Sequence, residues 1–104
     1  LEQVSINIKN TAVVSKKHYN LRVSGKVQGV FFRATTKETA EDLGVTGFVR
    51  NEPDGTVYAE VEGDSEKLDE FLDWVKKGPP QANVADIQVE EDELKDFEYF
   101  EIKR

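Results

Sequence analysis

A nine-residue run, G-K-V-Q-G-V-F-F-R from Gly25 to Arg33, carries two glycines and an arginine but no Ser, Cys or Asp to serve as a nucleophile. Its residue types suit holding an anion rather than attacking one. A helix-like pattern begins at its end, and a helix start leaves backbone N–H groups without intrahelical partners. Gln28, Gly29, Val30 and Phe31 precede that start, and none is a preferred side-chain cap. Gly29 permits a backbone shape that turns successive N–H groups inward as a nest for an oxyanion. The helix dipole adds partial positive charge at the same place. Arg33, in the first turn, can fold its guanidinium back over the nest and grip a phosphate or carboxylate through two hydrogen bonds. The dipole disfavours an arginine at that end, and a bound anion removes the penalty. The same residues also suit a plain tight turn with a solvated arginine, so a second feature is needed.

That feature is G-F-V-R-N-E-P-D-G, Gly47 to Gly55. Asn51 falls at the end of a predicted strand, just before a turn. Asparagine is common beside turns for its own conformational reasons. Its amide also offers both a donor and an acceptor, enough to hold a water molecule. An anion cradle with a water-positioning amide beside it is the constellation to be placed.

The elements that must place it are legible from periodicity. Residues 1–17 have no helical period and few large apolar groups, and are expected to be a flexible tail, with an added edge strand through Val4–Ile8 as the alternative. The domain proper is expected over 18–104. Tyr19, Leu21 and Val23 alternate on one face of a first strand starting at His18. Phe32, Thr36, Thr39, Ala40 and Leu43 recur at helical spacing, with Gly44 placed as a left-handed cap. Residues 45–51 and 56–63 form a hairpin around the Glu52-Pro53-Asp54-Gly55 turn. Leu68, Phe71, Leu72 and Val75 mark a second helix, capped by Asp64 or Ser65 and stopped by Gly78-Pro79-Pro80. Strands over 83–90 and 97–103 complete the chain. The order β-α-β-β-α-β plus a late strand predicts an α+β ferredoxin-like sandwich, with an antiparallel sheet, both helices on one face and a further C-terminal strand.

Composition narrows the function. The 14 Lys and Arg against 21 Asp and Glu give a net charge of −7, which argues against general binding to nucleic acid or an anionic membrane. The absence of cysteine removes thiolate nucleophiles and thiolate metal sites. No apolar run is long enough to span a membrane, and a soluble, cytoplasmic monomer is expected. A Walker loop would need Ser or Thr after Gly25-Lys26, where Val27 stands. The single histidine, His18, at the start of a strand, is expected to be structural or at the surface. The acidic run Glu90 to Glu93 lacks the spacing and glycine of a calcium loop and is expected to be a solvated turn. Trp74 is expected to pack beside the second helix, and Tyr58 and Tyr99 to lie on sheet faces.

Three segments together, G-K-V-Q-G-V-F-F-R, L-G-V-T-G-F-V-R-N-E-P-D-G-T-V and G-P-P-Q-A-N-V, resemble the acylphosphatases, in order and spacing, from about His18 to the C-terminus. The resemblance implies hydrolysis of the carboxyl–phosphate bond of acyl phosphates, with inorganic phosphate as product and inhibitor, and with no metal or other cofactor. It places the phosphate-binding arginine at Arg33 and the water-orienting asparagine at Asn51. The backbone cradle falls on Lys26, Val27, Gln28, Gly29, Val30 and Phe31. Many members have Gly or Cys at the place of Phe31 and Trp at that of Phe48, and a bulky Phe31 is expected to bear on acyl-group preference or loop rigidity. The alternative is a non-catalytic module of the same fold that binds an anion or acyl phosphate.

Overall fold

The computed structural model describes residues 15–104. The tail and edge strand expected before residue 15 lie outside the described residues. The elements are β1 (Lys16–Lys26), α1 (Phe32–Leu43), β2 (Thr46–Asn51), β3 (Val57–Asp64), α2 (Ser65–Lys77), β4 (Asn83–Asp92) and β5 (Phe100–Ile102). β1 thus begins two residues before His18. The strands form one sheet in the order β4-β1-β3-β2-β5. All neighbours are antiparallel except β2 and β5, which run parallel. The ferredoxin-like sandwich with an added C-terminal strand is the architecture the sequence predicts.

Alternation along the strands separates two faces. Leu21 and Val23 of β1, Val49 of β2, and Val57, Ala59 and Val61 of β3 are buried against the helices. Phe32 and Ala40 of α1 and Leu68, Phe71 and Val75 of α2 close that core. Gly44 ends α1 in the left-handed conformation, its N–H bonding back to Ala40 and Glu41, as its position predicts. Asp64 stands at the cap of α2, but its side chain makes no capping bond.

The opposite face carries polar groups, and two of them are deeply buried. His18 and Glu62 are both 0 % exposed, with His18 Nδ1 2.8 Å from Glu62 Oε2. The other ring nitrogen lies 2.7 Å from Asn20 Oδ1. Glu62 also accepts the backbone N–H groups of Lys95 and Phe97, so the segment between β4 and β5 is laid across this face. His18 is therefore structural, as expected.

Three local expectations are corrected. The acidic run is no turn, since Glu90, Glu91 and Asp92 pair with Asn20, Tyr19 and His18 as the end of β4. The last strand covers only residues 100–102, because the Phe97 N–H serves Glu62 instead of a strand neighbour. Tyr99 accordingly lies outside the sheet and is 65 % exposed. β1 is interior, between β4 and β3.

Candidate active site

The sheet brings the two motifs to one end. β1 and β2 each pair antiparallel with β3, so they run parallel to one another. Val23, Val57 and Asn51 lie in one lateral row across the three strands. With neighbouring strands about 4.8 Å apart, Asn51 is roughly 10 Å across the sheet from the β1 position that leads into the glycine loop. The loop from Val27 to Phe31 then turns the chain into α1, whose N-terminus faces the same end.

Each turn of that path has a local cause. β1 bulges between Ser24 and Gly25, where Gly25 has φ 120° and a Cβ would collide with the backbone of Asn83 and Ala85. Gly29 has φ 74°, while the space its Cβ would take is open, so conformation alone demands glycine there. Phe31, the residue before α1, also adopts the left-handed conformation (φ 62°, ψ 22°) and provides no side-chain cap. Val27 and Val30 pin the loop by burying their side chains in the core.

Among the described residues, no backbone or side-chain acceptor takes an N–H from Val27 to Phe31. The first turn of α1 contains no acidic residue. Arg33, its second residue, is half-buried and has no carboxylate within ion-pair distance among the described residues. A run of N–H donors without protein acceptors, a helix N-terminus and a guanidinium without a carboxylate partner are features whose chemistry suits an anion. Lys26, at the end of β1, is exposed.

The hairpin is tied to this loop through Gln28. Its Nε2 donates to the carbonyl of Glu52 at 2.8 Å and to that of Thr56 at 2.9 Å. Gln28 thus acts through its side chain as a tether, a role its place in the loop does not reveal in sequence. The turn itself is closed by Glu52 N–H to Thr56 O at 2.8 Å and by Thr56 donating to Asp54 Oδ1 from both backbone and hydroxyl. Those two bonds hold the Asp54 carboxyl below its usual range. Arg50 Nε, 2.6 Å from Glu52 Oε2, and Arg22, 3.0 Å from the Thr56 hydroxyl, brace the turn from the open face. Alternation places both arginines on that face, but nothing in their spacing announces the bracing.

Asn51 itself is half-buried, and its Oδ1 is buried without a hydrogen-bond partner among the described residues. Leaving such an acceptor unmatched costs about 1–3 kcal/mol, so a donor from outside the protein is called for. Among the described residues no group of three or more His, Asp or Glu is arranged to hold a metal ion.

The family model for acylphosphatases matches residues 19–102. The chain belongs to the acylphosphatase family. An acylphosphatase of Acaryochloris marina is 48 % identical over 82 residues, covering 79 % of this chain and 88 % of that protein. The crystal structure of acylphosphatase from Bacillus subtilis superposes with a TM-score of 0.83 at 36 % identity, covering 85 % of this chain and 99 % of that one. Full-length HypF, crystallised in a phosphate- and nucleotide-bound form, contains a similar region: TM-score 0.78, 29 % identity, 88 % of this chain but 12 % of that one. Membership bears out the family, fold and enzyme class read from the sequence: the chain is an acylphosphatase, acting on acyl phosphates.

Proposed function

We propose that the chain hydrolyses acyl phosphates by a cradle of backbone N–H groups from Lys26 to Phe31 together with Arg33, and that Asn51 orients the attacking water. The unpartnered, buried Oδ1 of Asn51 carries this reading. It accepts one O–H of a water molecule and leaves a lone pair aimed at the phosphorus held in the cradle. The water oxygen forms its bond to phosphorus as the bond to the acyl oxygen breaks, and the carboxylate leaves with the electron pair. Both water protons remain with the product, as dihydrogen phosphate, so the step needs no strong base.

Charge on the transferring phosphoryl group is spread over its outer oxygens, where fixed donors act with little reorganisation. A carboxylate leaving group needs no protonation, which fits a site without His, Asp or Glu among its proposed members. The residues support a reaction without a metal, with phosphate inhibiting by occupying the same cradle. A cytoplasmic monomer that binds neither nucleic acid nor membrane accords with the net charge of −7, and no helix among the described residues is long and apolar enough to cross a membrane.

The similar region within the much longer HypF chain supports a second reading, a module that binds the anion without turnover. Benzoyl phosphate mixed with chelator-treated protein separates the two. Rapid loss with the unaltered chain and near-background loss with Arg33→Ala is the expected result. Binding of phosphate without turnover would establish the module instead.

A further inference from the structure

Beside the cradle lies an open groove of about 280 Å³, lined by Val30, Phe31, Thr35, Pro79, Pro80 and Gln81. We propose that this groove receives the acyl part of the substrate and selects flat, apolar acyl groups, with Phe31 as its specificity-determining side chain. The inference rests on the assignment of the cradle to phosphate. Val30 and Phe31 belong to both cradle and groove, so a phosphoryl group held by one has its acyl substituent at the mouth of the other.

Phe31 is poorly explained by folding. The residue is 74 % exposed, so it adds little to the core, and its left-handed backbone is one that a bulky residue seldom adopts. The neighbouring contacts fix the residue there: its carbonyl accepts both the N–H of Thr35 at 3.1 Å and the Thr35 hydroxyl at 2.7 Å. The result is an aromatic face presented to solvent on a rigid support.

The opposite wall is rigid for a different reason. Ala82 N–H bonds to Pro79 O at 2.9 Å, closing the turn after α2. Gly78 sits so close to the core that a Cβ there would come within 3.2 Å of Phe32 Cε2. Pro79 is buried, while Pro80 stays exposed on the groove. Two prolines and a phenyl ring offer stacking and apolar contact to a planar group, and among the described residues no charged side chain lines the groove. A two-carbon acyl group is too short to gain from it.

The test compares benzoyl phosphate with acetyl phosphate in the unaltered chain, Phe31→Gly and Pro80→Asp. Glycine suits the positive φ, and any damage to the cradle affects both substrates and divides out of the ratio. The ratio of kcat/KM, benzoyl over acetyl, is expected to fall about tenfold in each variant, a size in keeping with one lost aromatic or apolar contact. Calorimetric binding of benzylphosphonate against methylphosphonate reads the groove with no bond broken, and the preference for the benzyl compound should fall alongside. A ratio unchanged within about twofold in both variants, with both substrates declining together, overturns the proposal. Should the unaltered chain hydrolyse neither substrate, the catalytic reading falls and the phosphonates decide the groove. A benzyl preference that Phe31→Gly abolishes upholds it, and equal binding overturns it.

Discussion

Gln28 Nε2 lies 2.8 Å from the backbone carbonyl of Glu52, so a side chain of the glycine loop is bonded to the residue that follows Asn51. In the proposed mechanism, the distance between the phosphoryl group and the attacking water therefore depends on this amide. Gln28→Ala frees two carbonyls and lets hairpin and loop move independently. Loss of about 1 kcal/mol in stability is expected, with a fall in kcat of tenfold or more, since small misplacements of reacting groups are costly. Urea denaturation and steady-state kinetics on the same preparation check both. Gln28→Glu should be worse than alanine, because a carboxylate would face the two carbonyls.

Among the described residues no carboxylate competes for Arg33, and the proposed mechanism assigns its charge to the substrate. Arg33→Ala is expected to lower kcat/KM by about 100-fold or more and to weaken inhibition by phosphate to a similar degree. Lysine keeps the charge but lacks the planar fork, and Arg33→Lys should recover only a minor part of either. Inhibition constants for phosphate, measured beside turnover, distinguish lost binding from lost chemistry.

The two loop glycines are needed for different reasons, and alanine scanning should separate them. Gly25→Ala drives a methyl group into the backbone of β4, and a loss of more than about 2 kcal/mol is expected because the strands must part. Gly29→Ala meets open space and bears only the conformational penalty, about 1 kcal/mol. Its activity should suffer more than its stability, since the N–H groups of the cradle depend on that φ. Thermal unfolding beside kcat/KM reads both differences.

Stability in acid should depend on Glu62. Burial pushes its carboxyl upward, but the N–H of Lys95, the His18 ring and the N–H of Phe97 together outweigh it and hold the group below its ordinary range. A depressed folded value contributes stability that is full above the ordinary glutamate value, about 4.3, and is lost as pH falls through the lower folded value. Melting temperature should therefore drop below about pH 4, and the drop should be shallower in Glu62→Gln. At neutral pH that variant should be less stable by about 2 kcal/mol, as the segment across the sheet loses its strongest acceptor.

These residues also mark where sequence reading succeeds and where it stops. Alternation at Tyr19, Leu21 and Val23, and helical spacing through Phe32, Thr36 and Ala40, arise from one-sided burial, which periodicity records directly. The turn of the loop is legible for a related reason: Gly29 and the absent cap are local features, matched by the left-handed φ of Gly29 and the uncapped start of α1. Glu62 and His18 are not legible, because their burial depends on each other across 44 residues and on the segment holding Lys95 and Phe97. That same carboxylate shortens β5, by taking N–H groups that a strand would otherwise use. The end of β4 was hidden for a different reason. Glu90 to Asp92 read as solvated charge, which they are, yet an edge strand pairing with β1 is free to carry charge on its exposed side chains. The tether from Gln28 to Glu52 and Thr56 joins a side chain to two carbonyls, and carbonyls leave no trace in residue identity.

The most direct test of the mechanism is Asn51→Ala, assayed with benzoyl phosphate and with inorganic phosphate as inhibitor. The cradle and Arg33 remain, so phosphate should inhibit within about threefold of its normal strength, while loss of the oriented water should reduce kcat by about 100-fold or more. A kcat close to that of the unaltered chain, or a loss of phosphate inhibition equal to the loss of turnover, would contradict the role assigned to Asn51.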